Sequence, residues 1–335
     1  MKIVVRIPNW IGDVIFALPA LESLKANYPR GEVWIAAHPW VKDLFLGTPY
    51  AGRVIAVADG HGPGALRAAA KNLQSHRFDI GLLLTNSLSS ALLFSLARIP
   101  ERWGYRRGGR GLFLTKRVLP GNPGHVRHMV LHYLQLLEGL GLRILPPEIR
   151  MSVSEEEKEA ARNSVRAFGL DPGKQFALIA PGAAYGQAKR WPATKFAALA
   201  GRLREQKKLE VLVVGGAGDA PLAEEIASAL DPPPPSLAGK TSLRQMLALI
   251  SEAAVFISND TGPVHMANAL RVPVVAVFGP TDPRVTAPFH EPATVVKRDD
   301  IPCWPCSYRA CPYDHRCLVQ ISAEEVFSAA AAYLT

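Results

Sequence analysis

Phe256-Ile257-Ser258-Asn259-Asp260-Thr261-Gly262-Pro263-Val264-His265 runs from an apolar stretch into a cluster of small, polar and acidic residues that opens a helix. Thr261 suits an N-cap, Pro263 suits the first turn, where its missing N–H costs nothing, and Met266, Ala267 and Leu270 continue an apolar stripe. First-turn amides, with no Cβ at Gly262 to block approach, then form an anion site suited to a phosphate or diphosphate. An ordinary capped helix after a buried strand accounts for the same residues, so the neighbouring constellations decide. Lys189 and Arg190 lie in the glycine-containing segment from Pro181-Gly182 to Trp191-Pro192 and are cations able to neutralise a diphosphate leaving group. The turn Gly215-Gly216-Ala217-Gly218-Asp219 lacks the GxGxxG spacing of a dinucleotide fold. Its glycines still allow close backbone approach, and Asp219 offers an acceptor to ribose hydroxyls. His265 is within reach of the same ligand, or simply packs its helix. Asp13, in Pro8-Asn9-Trp10-Ile11-Gly12-Asp13, opens another helix and either caps it or serves as a general base. No Asp-x-Asp triplet occurs to hold a divalent cation on a nucleotide diphosphate, which leaves neutralisation to Lys189, helix dipoles and amides.

All four cysteines fall in one segment, as Cys303-x2-Cys306-x4-Cys311-x5-Cys317, with His315 beside the last. Clustered thiols in a chain expected to be cytoplasmic point to a structural Zn²⁺ site more than to disulfides, with free thiols and paired disulfides as the alternatives.

These residues need elements to position them. Apolar, β-branched runs at Ile3–Ile7, Val33–Ala37, Val54–Val57 and Ile80–Leu84 alternate with helical patterns, and so do Phe176–Ala180, Val211–Val214, Val255–Ser258 and Val274–Phe278. Such alternation means α/β, with two parallel sheets covered by helices, and places chemistry in the loops after the strands. Between the two series lies a charged helix, Ser154–Phe168, with a capping pattern at Ser154 and Glu157 and a Gly169 stop. The expected domains are 1–165, 166–320 and a last helix within 321–335 that packs back toward the first. Asp231-Pro232-Pro233-Pro234-Pro235 reads as a stiff surface loop inside the second domain.

A length of 335 residues and 48% hydrophobic content suit two cores of ordinary size. No apolar run approaches the ~20 residues a membrane span needs, and Met1-Lys2 leads straight into Ile3–Ile7 without a signal-peptide pattern, so a cytoplasmic protein is expected. The formal charge of +9 is concentrated: Arg98, Arg102, Arg106, Arg107, Arg110, Lys116, Arg117 and Arg127 face only Glu101, which suggests an anionic partner. Nucleic acid, acidic lipid and phosphorylated sugar are the candidates. A basic, zinc-containing nucleic-acid-binding protein would explain the charge and the thiols, but neither the Asp13 loop nor the 260–265 turn, and the chain lacks the aromatic and basic interleaving of a base-stacking surface.

Six segments taken in order, Trp10-Ile11-Gly12-Asp13, Thr85-Asn86-Ser87-Leu88-Ser89-Ser90-Ala91-Leu92, Pro181-Gly182-Ala183 through Lys189-Arg190-Trp191-Pro192, Leu237-Ala238-Gly239, Asn259 to His265, and Phe278-Gly279-Pro280-Thr281, resemble the ADP-heptose:lipopolysaccharide heptosyltransferases of glycosyltransferase family 9, most of all its type II members. The resemblance implies a GT-B architecture, two Rossmann-like parallel-sheet domains facing across a cleft. The acceptor is held by the first domain and the nucleotide sugar by the second. It implies inversion without a metal, with ADP-heptose as donor, the first heptose of heptosyl-Kdo2-lipid A as acceptor, and no cofactor required. Asp13 matches the family's general base and Lys189 the lysine near the phosphates. Asp260 matches a carboxylate near the donor sugar, and Thr261 and Gly262 the diphosphate turn, with Gly182, Asp219 and His265 completing the donor side. Asn9, Trp10, Asn86, Arg102, Arg106 and Arg107 fall to the acceptor, whose phosphates and Kdo carboxylates suit the basic stretch. The lipid end of that acceptor implies peripheral contact with the cytoplasmic face of the inner membrane, and no nucleic acid.

Overall fold

The computed structural model describes residues 1–57, 62–121, 126–171, 173–306 and 308–334, and they form two compact units, Met1–Arg150 and Met151–Thr335. In the first, β1 (Lys2–Arg6), β2 (Glu32–Ala37), β3 (Val54–Ala56), β4 (Ile80–Leu83), β5 (Glu101–Tyr105) and β6 (Lys116–Val118) form a sheet of order β3-β2-β1-β4-β5-β6, parallel throughout. The connecting helices are α1 (Ile11–Asn27), α2 (Pro63–Ser75), α3 (Leu88–Leu96) and α4 (Met129–Gly139). Helices on both faces make the central strands continuous apolar runs, and Ile3, Val4, Val5, Leu82 and Leu83 are fully buried. β5 and β6 were absent from the sequence expectation because they lie within the basic stretch, as Glu-Arg-Trp-Gly-Tyr and Lys-Arg-Val. They sit at the margin of the sheet, where charged side chains have solvent to reach.

The second unit contains α5 (Glu155–Ala167), β7 (Phe176–Ala180), α6 (Ala193–Lys207), β8 (Glu210–Val213), α7 (Ala220–Ser228), α8 (Leu243–Ser251), β9 (Val255–Asn259), α9 (Gly262–Ala269), β10 (Val274–Phe278), α10 (Pro283–Thr286), β11 (Ala293–Lys297), α11 (Arg316–Val319) and α12 (Ala323–Ala331). Its sheet, also parallel, has the order β11-β10-β9-β7-β8. Both sheets are Rossmann-like, as expected from the alternation of runs.

Two boundaries differ from expectation. α5 starts where its capping pattern places it, with Ser154 Oγ accepting from the Glu157 amide at 3.3 Å and the Ser154 amide donating to Glu157 Oε2 at 2.9 Å. It belongs to the second unit, not the first, because Glu157 pairs with Arg244 at the start of α8 and Arg162 with Glu252 at its end. A helix charged enough to read as a connector is tied to its neighbour by those charges. The last helix, expected to pack toward the first domain, lies on α6, β10 and β11, with Val326, Phe327 and Ala330 in the second unit's core and Thr294 Oγ1 2.7 Å from Tyr333 Oη. No helix among the described residues is long and apolar enough to cross a membrane.

Candidate active site

In a parallel sheet the loops after neighbouring strands meet at one edge, so the strand order states which side chains gather. In the second unit the loops after β8, β7, β9 and β10 follow one another along the sheet and carry Asp219, Gly182 with Lys189, Asp260 to His265, and Thr281. Asp260, 4% exposed, is the hub. Lys189 Nζ donates to its Oδ2 at 2.6 Å, Thr281 Oγ1 donates to the same oxygen at 2.7 Å, and His265 Nε2 stands 3.9 Å from Oδ1. Lys189 brings a cation and Thr281 a second donor to a carboxylate that water scarcely reaches, which offsets the cost of burying it. The Lys189 loop is held against β9 by Asn259, whose Oδ1 accepts from the Trp191 amide at 2.9 Å and whose Nδ2 donates to the Pro181 carbonyl at 2.7 Å.

Thr261 is the N-cap residue of α9 in extended conformation, but its side chain makes no capping bond, contrary to the simple helix-start reading. Asp219 instead caps its own turn, accepting from the Gly216 amide at 2.9 Å, with Arg190 3.9 Å away. Gly182 leaves room for the Asp219 carboxylate, which a Cβ there would meet at 2.2 Å and displace.

In the first unit the loops after β1, β4 and β5 are neighbours in the same way and bring Asn9, Trp10 and Asp13, then Asn86, then Arg106 and Arg107, to one edge. Trp10, not Asp13, occupies the N-cap of α1; Asp13 is in the first turn. Tyr133, on α4, donates from Oη to Asp13 Oδ1 in a long bond of 3.5 Å. Burial first, then the charge of Asp13 and the bond to it, hold the Tyr133 phenol well above the ordinary tyrosine range, so it stays a donor. Arg106 and Arg107 are exposed, and the charge of Arg107, after burial, helps hold His132 below its ordinary value. Arg102 differs from expectation. Its Nε donates to the Phe113 carbonyl and its Nη1 to the Ile99 and Pro100 carbonyls, so it clips the β5 start to its surroundings. Arg110, fully buried, donates through Nη1 to the Thr85 carbonyl and braces the loop that bears Asn86, and burial pushes its guanidinium down to about 10. Gly104 makes room for it, since a Cβ there would come within 2.5 Å of Nη2.

Cys303, Cys306, Cys311, Cys317 and His315 line one small cavity together with Ala188 and Pro280 from the loops after β7 and β10. The thiols are unpaired, and burial, then the other three sulfurs, push Cys317 up to about 11. Among the described residues no group of three or more His, Cys, Asp or Glu side chains is gathered closely enough to hold a metal ion, so the zinc expectation meets no ready ligand set. What the segment does hold is the loops: the Ala188 amide donates to the Arg309 carbonyl at 3.0 Å and the Cys306 amide to the Pro280 carbonyl at 2.8 Å.

Thr281 and Tyr133 join the site in addition to the residues expected from the sequence. Thr281 was signalled, since it follows a strand in a segment singled out for its resemblance. Nothing local marks Tyr133, which reaches Asp13 only through the packing of α4 on α1.

The model of glycosyltransferase family 9 (heptosyltransferase) matches residues 66–316. The lipopolysaccharide heptosyltransferases 2 of Salmonella typhimurium and Escherichia coli are each 33% identical to the chain over 312 residues, 89% of it and 88% of theirs. The structure of Escherichia coli ADP-heptose lps heptosyltransferase II superimposes with a TM-score of 0.86 at 30% identity, covering 100% of this chain and 98% of that one. The Escherichia coli heptosyltransferase WaaC with ADP shares the fold, with a TM-score of 0.74 at 19% identity over 99% of this chain and 100% of that one. With two Rossmann-like units in GT-B fashion and these matches spanning most of its length, the chain belongs to glycosyltransferase family 9, the heptosyltransferases.

Proposed function

We propose that the protein is an inverting heptosyltransferase that moves L-glycero-D-manno-heptose from ADP-heptose to the first heptose of heptosyl-Kdo2-lipid A. The observation that carries this reading is the cluster of Lys189 and Thr281 on the buried Asp260 beside the α9 start, in a chain 33% identical to two lipopolysaccharide heptosyltransferases 2. In this reading Asp13 accepts the proton of the acceptor hydroxyl as its oxygen bonds to the anomeric carbon. The bond from that carbon to the diphosphate oxygen breaks on the opposite face, and ADP leaves with the electron pair. Lys189 and the amides of the α9 first turn take up the developing charge, so the reaction needs no metal. Asp260 holds Lys189 in place and lies near the donor sugar, Asp219 accepts from the ribose, Gly182 lets the backbone approach, and His265 lines the same end. Asn9, Trp10 and Asn86 position the acceptor; Arg106 and Arg107 meet its phosphates and carboxylates, a task in which Arg102 takes a supporting part through the backbone it clips. A lipid-borne acceptor places the enzyme at the cytoplasmic face of the inner membrane, held there peripherally by basic side chains.

The test is release of ADP from ADP-heptose plus heptosyl-Kdo2-lipid A; its absence with purified protein overturns the reading. Asp13→Asn should lower turnover by about 10²–10⁴-fold, the range for loss of a general base, with ADP affinity nearly unchanged, because the lost group acts on the acceptor. An equal loss of ADP binding would refute the assignment. Offering acceptors that lack the first heptose separates this activity from transfer at another core position.

A further inference from the structure

Two tryptophans at the acceptor edge are left facing water although the fold holds them still. Trp10 and Trp40 are 43% and 56% exposed, and their rings stand 6.0 Å apart at 43°, with the His38 ring 4.9 Å from Trp40. Trp40 follows β2 and Trp10 follows β1, neighbours in the sheet, so the pairing is imposed by strand order. Trp40 Nε1 donates to the Asn9 carbonyl at 2.6 Å, and Asn9 Oδ1 in turn accepts at 2.9 Å from Arg6, which is buried. The indole N–H is thus turned to the protein, while Trp40 as a whole stays 56% exposed. Large aromatic surface that is fixed and unburied marks a place for a partner. Its position names the partner, because Trp10 is the N-cap residue of α1 and Asp13 lies three residues on, within one helical turn.

We propose that Trp10 and Trp40 form a stacking platform for a pyranose ring of the acceptor, with Trp40 as its principal face. Sugar C–H groups, weakly positive, lie against the negative face of an indole, a contact that is apolar in area yet directional, and that leaves the hydroxyls free for Asp13 and the arginines. The tilt between the rings suits a saturated, puckered ring better than a flat one. A lipid anchor is the rival use of exposed tryptophan, but anchoring indoles place the N–H among headgroups, and here it is bonded to Asn9.

The proposal rests on the first unit being the acceptor side, and its test separates the two. With the heptosyl-Kdo2 oligosaccharide freed of lipid as acceptor, Trp40→Ala should raise the acceptor KM about 10-fold. ADP-heptose KM, kcat and melting temperature should stay near wild type. Trp40→Phe, which keeps a face, should recover most of the loss, and Trp40→Leu, which keeps only bulk, should not. Calorimetric titration of the same oligosaccharide into the full chain reads stacking apart from turnover. An unchanged acceptor KM or affinity in Trp40→Ala overturns the proposal, as does rescue by Leu equal to that by Phe. Unchanged oligosaccharide binding with weakened sedimentation on phosphatidylglycerol vesicles would assign the pair to lipid instead. If the oligosaccharide binds but no ADP is released from ADP-heptose, the transferase reading fails and the platform stands.

Discussion

Asp260 puts a carboxylate into the site proposed to hold a diphosphate, and its neighbours show how that charge is offset. Lys189 at 2.6 Å and Thr281 at 2.7 Å bond the same oxygen, so the carboxylate is neutralised locally and the ammonium is held in a fixed place instead of sampling solvent. Lys189→Ala should therefore act twice. It leaves a carboxylate that is 4% exposed without its cation, costing about 3 kcal/mol in urea unfolding, and it removes charge from the leaving group, weakening ADP-heptose binding by at least about 10-fold in calorimetry. Loss of stability with unchanged donor affinity would mean that Lys189 serves only Asp260. At this scale the sequence was legible where a residue's neighbours along the chain define its place in the fold. Asp260, Thr261 and Gly262 could be placed because a strand end and a helix start are both local patterns. Tyr133 and the clipping role of Arg102 could not, because both arise from contacts across the fold, and an arginine in a basic stretch looks the same whether it bonds carbonyls or waits for a ligand.

Elements position these residues through a few joints, and two of them lend themselves to test. The Lys189 loop rests on the cysteine segment, and a Cβ on Gly186 would sit 2.3 Å from the Arg309 carbonyl oxygen. Gly186→Ala should push the loop off its support, lowering stability by about 1–3 kcal/mol and raising the ADP-heptose KM while the acceptor KM stays put; equal effects on both would place the joint elsewhere. The second joint is Glu157, which caps α5 and bonds Arg244 on α8. The Arg244 hydrogen bond, followed by donation from the Ser154 amide and the Arg244 charge, holds this carboxyl below its ordinary value against the opposing effect of burial. A folded-state value lowered this way gives stability that is present above the unfolded pKa of about 4.3 and is lost as pH falls through the folded one. Glu157→Gln should thus cost about 1–2 kcal/mol at pH 7, with the gap to wild type closing below about pH 4 in thermal melts. A gap independent of pH would reduce Glu157 to a helix cap. The same charges explain the misplaced boundary: read along the chain, α5 is a polar connector, and only the pairing with α8 makes it part of the second unit.

Across the whole molecule the charge is divided very unevenly. Residues 1–150 carry nineteen basic and nine acidic side chains, whereas 151–335 carry nineteen and twenty. The entire net charge of +9 therefore belongs to the first unit, although the second is the one proposed to hold a diphosphate. The two anions are met by different physics. A diphosphate is small, and in the proposed reading its charge is met at short range by the part-buried Lys189 and helix-start amides, where salt screens little. An acceptor carrying several phosphates and carboxylates over a wide face is drawn by a diffuse field from exposed side chains such as Arg106 and Arg107, which salt screens strongly. Raising NaCl from 0.05 to 0.5 M shortens the Debye length from roughly 14 to 4 Å. The acceptor KM should then rise about 10-fold while the ADP-heptose KM changes by less than about 2-fold. Arg106→Gln combined with Arg107→Gln should flatten the acceptor dependence without touching the donor one. Equal salt sensitivity of both substrates, or a double variant as salt-sensitive as the wild type, would show that the charge of the first unit serves solubility and not the acceptor.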